Sequence, residues 1–246
     1  MKIGVTIEAV GSTLQALQST HDRLHKATVF TINRIAARVR SETVAQMRVR
    51  FDRPTPFVLR SMYIKSAKLE EVAPSAAVYL KDDSLRNPMS KILGHQFSGG
   101  HRWAKRFEQA LRRMRYLKAD EFVAPGPDAK LDAYGNQSRG QIAQIMAALS
   151  LFQDHYQNAT RSRRSRRNAE RAGNIFWSLG KGIPNGNRLQ RRCWARGARG
   201  SAPKWLLVVI KNPTYKRRIT LPEIKDRVVS GEWNAAFSEM LGKVKT

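Results

Sequence analysis

From Thr13 to Val49 the chain runs without Gly or Pro, and Leu14, Leu17, Leu24, Ile32, Ile35, Ala36 and Val39 recur at spacings near three and four. Apolar positions at that period make one face of a helix. The pattern predicts a long amphipathic helix, with a weak point over 28–32 where β-branched residues gather, ended by Pro54 and Pro56. Arg34, Arg38, Arg40, Arg48 and Arg50 decorate its polar side. Ahead of it, Ile3, Val5 and Ile7 alternate with other residues over 1–10, the period of a half-buried strand, and Gly11-Ser12 breaks that run.

The second strong pattern lies over 173–218. Three β-type runs (174–179, 188–196 and 204–211) are separated by Gly, Asn and Pro clusters. Residues 205–210 are apolar on both faces, as in a central strand covered on both sides, and this places Leu207 and Val209 in the core. In the middle run, Leu189, Arg191, Cys193 and Ala195 alternate with Gln190, Arg192, Trp194 and Arg196, which leaves one face cationic. Connections this rich in turn residues favour an antiparallel meander.

Between these regions, 57–68 and 76–80 read as paired strands, 89–97 as a short helix or loop, 101–117 as a helix, 122–136 as an extended loop and 138–153 as a helix. After Ile219 come two short helices, 222–229 and 233–244. The order predicts an α+β fold: an antiparallel sheet built from both ends of the chain, a long N-terminal helix, a mostly helical insertion and C-terminal helices. The expected organisation is one domain over 1–246, with 83–173 a helical and loop insertion between the N-terminal (1–82) and C-terminal (174–246) parts of the core.

Charge changes the picture. The 246 residues hold 45 Lys and Arg against 19 Asp and Glu, a formal net charge of +26. So large an excess repels itself in a compact chain and points to a polyanionic partner or an acidic protein surface. The single cysteine, Cys193, excludes an intramolecular disulfide framework and any zinc site built on several thiolates. The apolar run at 143–152 is too short to span a bilayer, and the first residues lack the apolar region of a signal peptide, so the chain is expected to be made in the cytosol with no membrane partner.

Candidate chemistry is sparse. His21 and His25 stand four apart, a spacing that can hold a metal from one helix face, but no third ligand accompanies them and two solvated histidines is the better reading. His95, His101 and Glu108 offer the materials of a small hydrolase, the weakest of the functions considered. Cys193 alternates into a strand with no His near it in sequence, which suits a packed thiol better than a nucleophile. Gly180, Lys181 and Gly182 do not form a phosphate loop, because the required order is absent. No catalytic residue, cofactor site or metal site is assigned.

The sharpest feature is the run 160–171, which holds Arg161, Arg163, Arg164, Arg166, Arg167 and Arg171. Such a run grips nucleic-acid phosphates, grips an acidic neighbouring subunit, or is a solvated linker. The reading adopted is an assembly arm.

Three stretches carry a resemblance: 27–40 (ATVFTINRIAARVR), 133–142 (AYGNQSRGQI) and 175–218, with its PKWLLVVIKNPTY segment. They resemble the neck and tail-completion proteins of tailed bacteriophages, most closely the minor tail protein Z family, whose layout the 83–173 insertion departs from. The resemblance implies a structural virion protein that forms a ring at the head–tail junction, as neck, tail-completion or tail-terminator protein. It would join head and tail and surround the DNA path. The implied partners are copies of itself in a hexameric or dodecameric ring, a portal, adaptor or head-closure protein, tail-tube or other tail proteins, and the phage DNA. It implies no catalytic residues and no cofactor. The opposed ring surfaces are then expected to be the cationic strand face (Arg192, Trp194, Arg196) and the acidic edge of Glu70-Glu71 with Asp82-Asp83, while the arm contacts a neighbouring chain. The alternative is a basic nucleic-acid-binding protein outside any virion, using the same arm and the 112–118 face.

Overall fold

The computed structural model describes residues 7–82, 88–171, 173–178, 192–196 and 203–244, with the side chains of 7–16 and of Arg192 set aside. The fold is α+β, as the sequence predicts, with a long N-terminal helix, antiparallel strands and a C-terminal helix. It divides into two compact units, Met1–Ser98 with Arg217–Thr246 and, inserted between them, Gly99–Lys216. This partition differs from the expected one: the C-terminal strands fold with the insertion, not with the N-terminal part.

In the first unit, helix α1 (Ile7–Arg50) is continuous through 28–32. Thr31 and Thr43 are buried in it because each hydroxyl donates to the carbonyl four residues back, Ala27 and Val39, both at 2.7 Å. Residues 7–10 are helical, which overturns the strand expected there; positions 1–6 lie outside the described residues. Helix α2 (Pro56–Leu59) starts where a strand was expected, because Thr55 caps it through Val58 N–H and Pro56 occupies the first turn. Strands β1 (Met62–Lys65) and β2 (Ala77–Leu80) then pair antiparallel as expected, with Tyr63 opposite Tyr79. Helix α3 (Met89–Ser98) follows.

The second unit opens with β3 (Gly100–His101), α4 (Arg106–Arg113), β4 (Glu121–Pro125) and α5 (Arg139–Ala148, capped by Ser138). A 3-10 turn at His155–Gln157 leads to α6 (Arg163–Arg171). Strands β5 (Ile175–Ser178), β6 (Arg192–Ala195), β7 (Lys204–Lys211) and β8 (Thr214–Tyr215) close the unit, and the chain returns to the first unit as α7 (Leu221–Lys243).

Two short helices were expected where α7 is one. Gly231 interrupts it at only about 1 kcal/mol, and the apolar face stays in phase across it: Ile224, Val228 and Ala236 are all buried. That face joins Ile35, Val39, Met47, Met62, Met89 and Leu93 in the first core. Pairs Arg34–Glu239 (2.6 Å), Arg38–Glu232 (2.8 Å) and Glu42–Arg227 (2.7 Å) descend along α7 as they ascend α1, so the two helices run antiparallel.

Among the described residues the strands do not join into one sheet from both chain ends. β1–β2 and β3–β8 are separate two-stranded ribbons, and the four-stranded sheet, in the order β4-β7-β6-β5, comes wholly from the second unit. All its pairings are antiparallel, and β5-β6-β7 is the expected meander. β7 is central, with Leu206 and Leu207 buried, but Val209 is only half-buried, contrary to expectation. The edge strand β4 replaces the start of the expected loop. Its Pro125 is tolerated because the outer edge needs no N–H there, and Val123 and Glu121 on that edge meet side chains of α4. In β6 a register shift between Cys193 and Trp194 breaks the alternation, so Cys193, Trp194 and Ala195 are all buried. The sheet and helices α4 and α5 enclose a second core that includes Leu111, Leu117, Ile145, Leu151, Cys193 and Leu207.

Candidate functional site

The arginine run is a built helix, not an extended arm. Ser162 starts α6: its hydroxyl accepts from Ser165 N–H at 3.2 Å and its carbonyl from Arg166 N–H at 3.0 Å. The helix ends on a Schellman-type closure, with Gly173 N–H donating to Glu170 O (3.0 Å) and Asn174 N–H to Ala169 O (2.7 Å). Gly173 has φ +82°, open to glycine and strained for other residues. A Cβ there would also lie 2.8 Å from the Arg196 carbonyl oxygen, so only glycine lets the end of α6 sit this close to β6.

Only Ser165 and Ala169, one turn apart, are half-buried in α6. Arg161, Arg163, Arg164, Arg166, Arg167 and Arg171 are all exposed. Arg166 donates to the Arg161 carbonyl at 3.1 Å, and no salt bridge among the described residues reaches any of the six. Arg163 and Arg167, and Arg167 and Arg171, are like charges at i,i+4, which disfavours an isolated helix. The whole segment 99–216 holds 24 Lys and Arg against 7 Asp and Glu, so most of the protein's excess charge sits in the second unit.

Beside α6, Ala148, Ala159, Ala169, Ile175, Phe176 and Arg196 line a hollow of about 380 Å³. Of the expected strand face, Arg196 is exposed at its rim. Trp194 is not available as an interface residue: the bulge turns it inward, where its ring meets Trp205 edge-on at 5.3 Å, and 7% of it is exposed. The side chain of Arg192 lies outside the described residues. Of the expected interface residues Arg196 alone lines this hollow, beside Ala169 of α6; none of the six arm arginines is among its lining residues, and Trp194 does not join them.

The other candidates resolve as follows. His21 and His25 are stacked at 6.3 Å on the exposed side of α1, and His25 Nε2 lies 3.0 Å from the Leu69 carbonyl oxygen. Among the described residues no group of three or more His, Cys, Asp or Glu is gathered as metal ligands would be, and no helix is long and apolar enough to cross a membrane. His101 is exposed on β3, and His95 Nε2 is 2.9 Å from the Gln96 amide. Cys193 is fully buried, and loss of hydration pushes its thiol up to about 12.

Glu108 is the residue that sequence reasoning undervalued. It is fully buried and accepts from Arg102 Nη2 (2.5 Å), Arg102 Nη1 (2.7 Å), Lys105 N–H (2.8 Å) and Val123 N–H (3.0 Å). Burial pushes its carboxyl up, but the hydrogen bonds from Arg102, Val123 and Lys105 outweigh this and hold it below the ordinary range. Arg102 and Arg112 both lie over the Phe122 ring, at 4.7 and 4.9 Å, and Arg112 donates to Glu121 O at 2.9 Å. This cluster therefore caps the outer edge of β4. The sequence signal was Glu108 three residues after Lys105 at a helix start, the place of a capping carboxylate.

No family model matches the chain, and no curated protein or solved structure matches it.

Proposed function

We infer that the protein is a structural subunit of a tailed-phage virion, made in the host cytoplasm and assembled as a ring at the head–tail junction, where it joins head and tail around the DNA path. The observation that carries this reading is α6: a capped helix that presents six arginines with no acidic partner among the described residues of its own chain. Arginine is favoured at protein interfaces, and like charges held this close call for an external anion. The sequence resemblance over 27–40, 133–142 and 175–218 supports the head–tail junction as the place. The neighbours in this reading are copies of the chain, a portal, adaptor or head-closure protein, and tail proteins.

Cross-linking of purified particles followed by mass spectrometry is the direct test. Links from the 161–171 segment to another subunit are expected, together with particles whose heads and tails stay unjoined when the protein is removed. A protein found only in infected-cell cytosol and never in particles overturns the reading.

A second reading has its own support. The charge imbalance of 99–216, with Trp103 and Tyr156 exposed at 72% and 97%, suits binding to nucleic acid by phosphate contacts and base stacking. Size-exclusion chromatography with and without DNA, at low and high salt, separates it from the first.

A further inference from the structure

Between β1 and β2 the chain makes a turn over 69–72, Leu69-Glu70-Glu71-Val72, that is unusual for what it exposes. Val72 is 98% exposed and Leu69 45%, and Glu70 is exposed between them. A β-branched apolar side chain gains nothing from full hydration, and burial of one is worth about 1.5–3 kcal/mol. The turn is nonetheless firmly held. Asn33 clamps Ala67 from both sides, accepting its N–H at 2.8 Å and donating to its carbonyl at 3.0 Å. His25 lies against the Leu69 carbonyl, Glu71 N–H donates to Lys68 O at 3.3 Å, and the Glu71 carboxylate accepts from Ser75 N–H at 3.2 Å. The turn is therefore a preformed apolar knob flanked by two carboxylates, and little ordering remains to oppose its docking.

The hollow beside α6 has the opposite chemistry. Three alanines, Ile175 and the half-exposed Phe176 line it together with Asn174 and Arg196, and its wall Ala169 belongs to α6, the helix that carries the exposed arginines. Its volume, about 380 Å³, exceeds that of a valine side chain. The apolar part of the lining suits an apolar side chain, and the carboxylates have the Arg196 guanidinium at the hollow and the exposed arginines of the same helix as Ala169 to pair with.

We propose that the hollow of one copy receives the Leu69–Val72 turn of a second copy, with Val72 inserted among Ala159, Ala169 and Phe176 and Glu70 and Glu71 paired to Arg196 and the arginines of α6. The two surfaces differ, so the contact is heterologous: each copy offers a knob to one neighbour and a hollow to another, the arrangement that closes rings. The charges set register and association rate, and the knob supplies the desolvated centre. The proposal deepens the ring reading and rests on it for closure of the contact into a ring.

The test places a benzophenone amino acid at position 72, where full exposure leaves folding unaffected, in a mixture of isotopically heavy and light full-length chains. Heavy–light cross-links from position 72 to peptides spanning 148–176 or containing Arg196 are expected. Links only within one chain, links only to other regions, or a chain that stays monomeric at every concentration overturn the proposal. Charge exchange provides an independent arm. Glu70→Arg, and separately Arg196→Glu, are expected to weaken self-association tenfold or more, because like charges then face each other while the Glu71–Ser75 bond that holds the turn is kept. Combining them in one chain is expected to restore it, and unchanged association in either variant overturns the contact. Self-association through this contact by a protein absent from particles would defeat the virion role and leave the contact standing. A ring in particles cross-linked elsewhere would defeat the contact alone.

Discussion

Arg102 and Glu108 form a two-pronged ion pair, at 2.5 and 2.7 Å, from side chains with 10% and 0% exposure. The pair joins the start of α4 to strand β4, because the same carboxylate takes Val123 N–H. Glu108→Gln keeps the shape and removes the charge, which leaves the Arg102 guanidinium buried without a counter-ion. The expected loss is about 3–5 kcal/mol, and replacing both partners by apolar residues is expected to cost less. Urea unfolding followed by tryptophan fluorescence measures both. The pH dependence follows from the lowered carboxyl. A depressed acid stabilises the fold above its unfolded value, near 4.5, and loses that contribution as pH falls through the lower folded value. Stability is therefore expected to drop below pH 4.5 in the native chain and to drop less in Glu108→Gln.

Gly173→Ala is expected to loosen α6 from the sheet. The substitution meets both a positive φ and the Arg196 carbonyl at 2.8 Å, and such strain costs on the order of 1–3 kcal/mol. Amide hydrogen exchange is the suitable readout: faster exchange over 163–174 with unchanged protection in β7. Unchanged exchange in α6 would show that the close approach is not what holds it.

Cys193 is expected to be inert in the folded protein. Burial pushes its thiol up to about 12, so almost no thiolate exists near neutral pH, and no solvent path leads to a residue with 0% exposure. A chromogenic disulfide reagent is expected to label it only at the rate at which the sheet opens, and fully in urea. Fast labelling of the native chain would contradict its place in the core.

Substituting Arg163, Arg164, Arg166 and Arg167 by Ser is expected to leave the monomer's unfolding midpoint unchanged, because none of them is buried or paired with an acid among the described residues. Joining of heads to tails, or loading into particles, is the property expected to fall. Normal infectivity with the quadruple variant would make α6 a solvated helix and nothing more.

How much of this was legible in the sequence depends on whether local pattern or distant contact decides each element. The 3.6-residue period of 14–39 gave α1 because one continuous apolar face is enough to define a helix. The 205–210 run gave the central strand for the same reason. Residues 122–125 read as loop because Pro125 and Gly126 look like punctuation; that 121–125 form an edge strand is supported by Glu108 and Arg112, which no local pattern reveals. Strict alternation puts Trp194 on the cationic face, and a single bulge turns it inside. Runs of arginine carry no apolar period at all, so α6 could be found only through its ends, Ser162 and Gly173. The hollow beside it was beyond reach, since its walls come from α5, α6, β5 and the ends of two loops.

The order of the two units along the chain sets a timetable for synthesis. Helix α1 leaves the ribosome first, yet the face it shares with α7 cannot be covered until residues 221–243 have been made. The inserted segment Gly99–Lys216 is continuous and can close on its own core while α1 is still waiting. During that interval Ile35, Val39 and Met47 have only the part of their core made by Met62, Met89 and Leu93, and lack Ile224, Val228 and Ala236. A nascent chain that ends before residue 221 thus carries a half-built first core, and α7 is the piece that completes it.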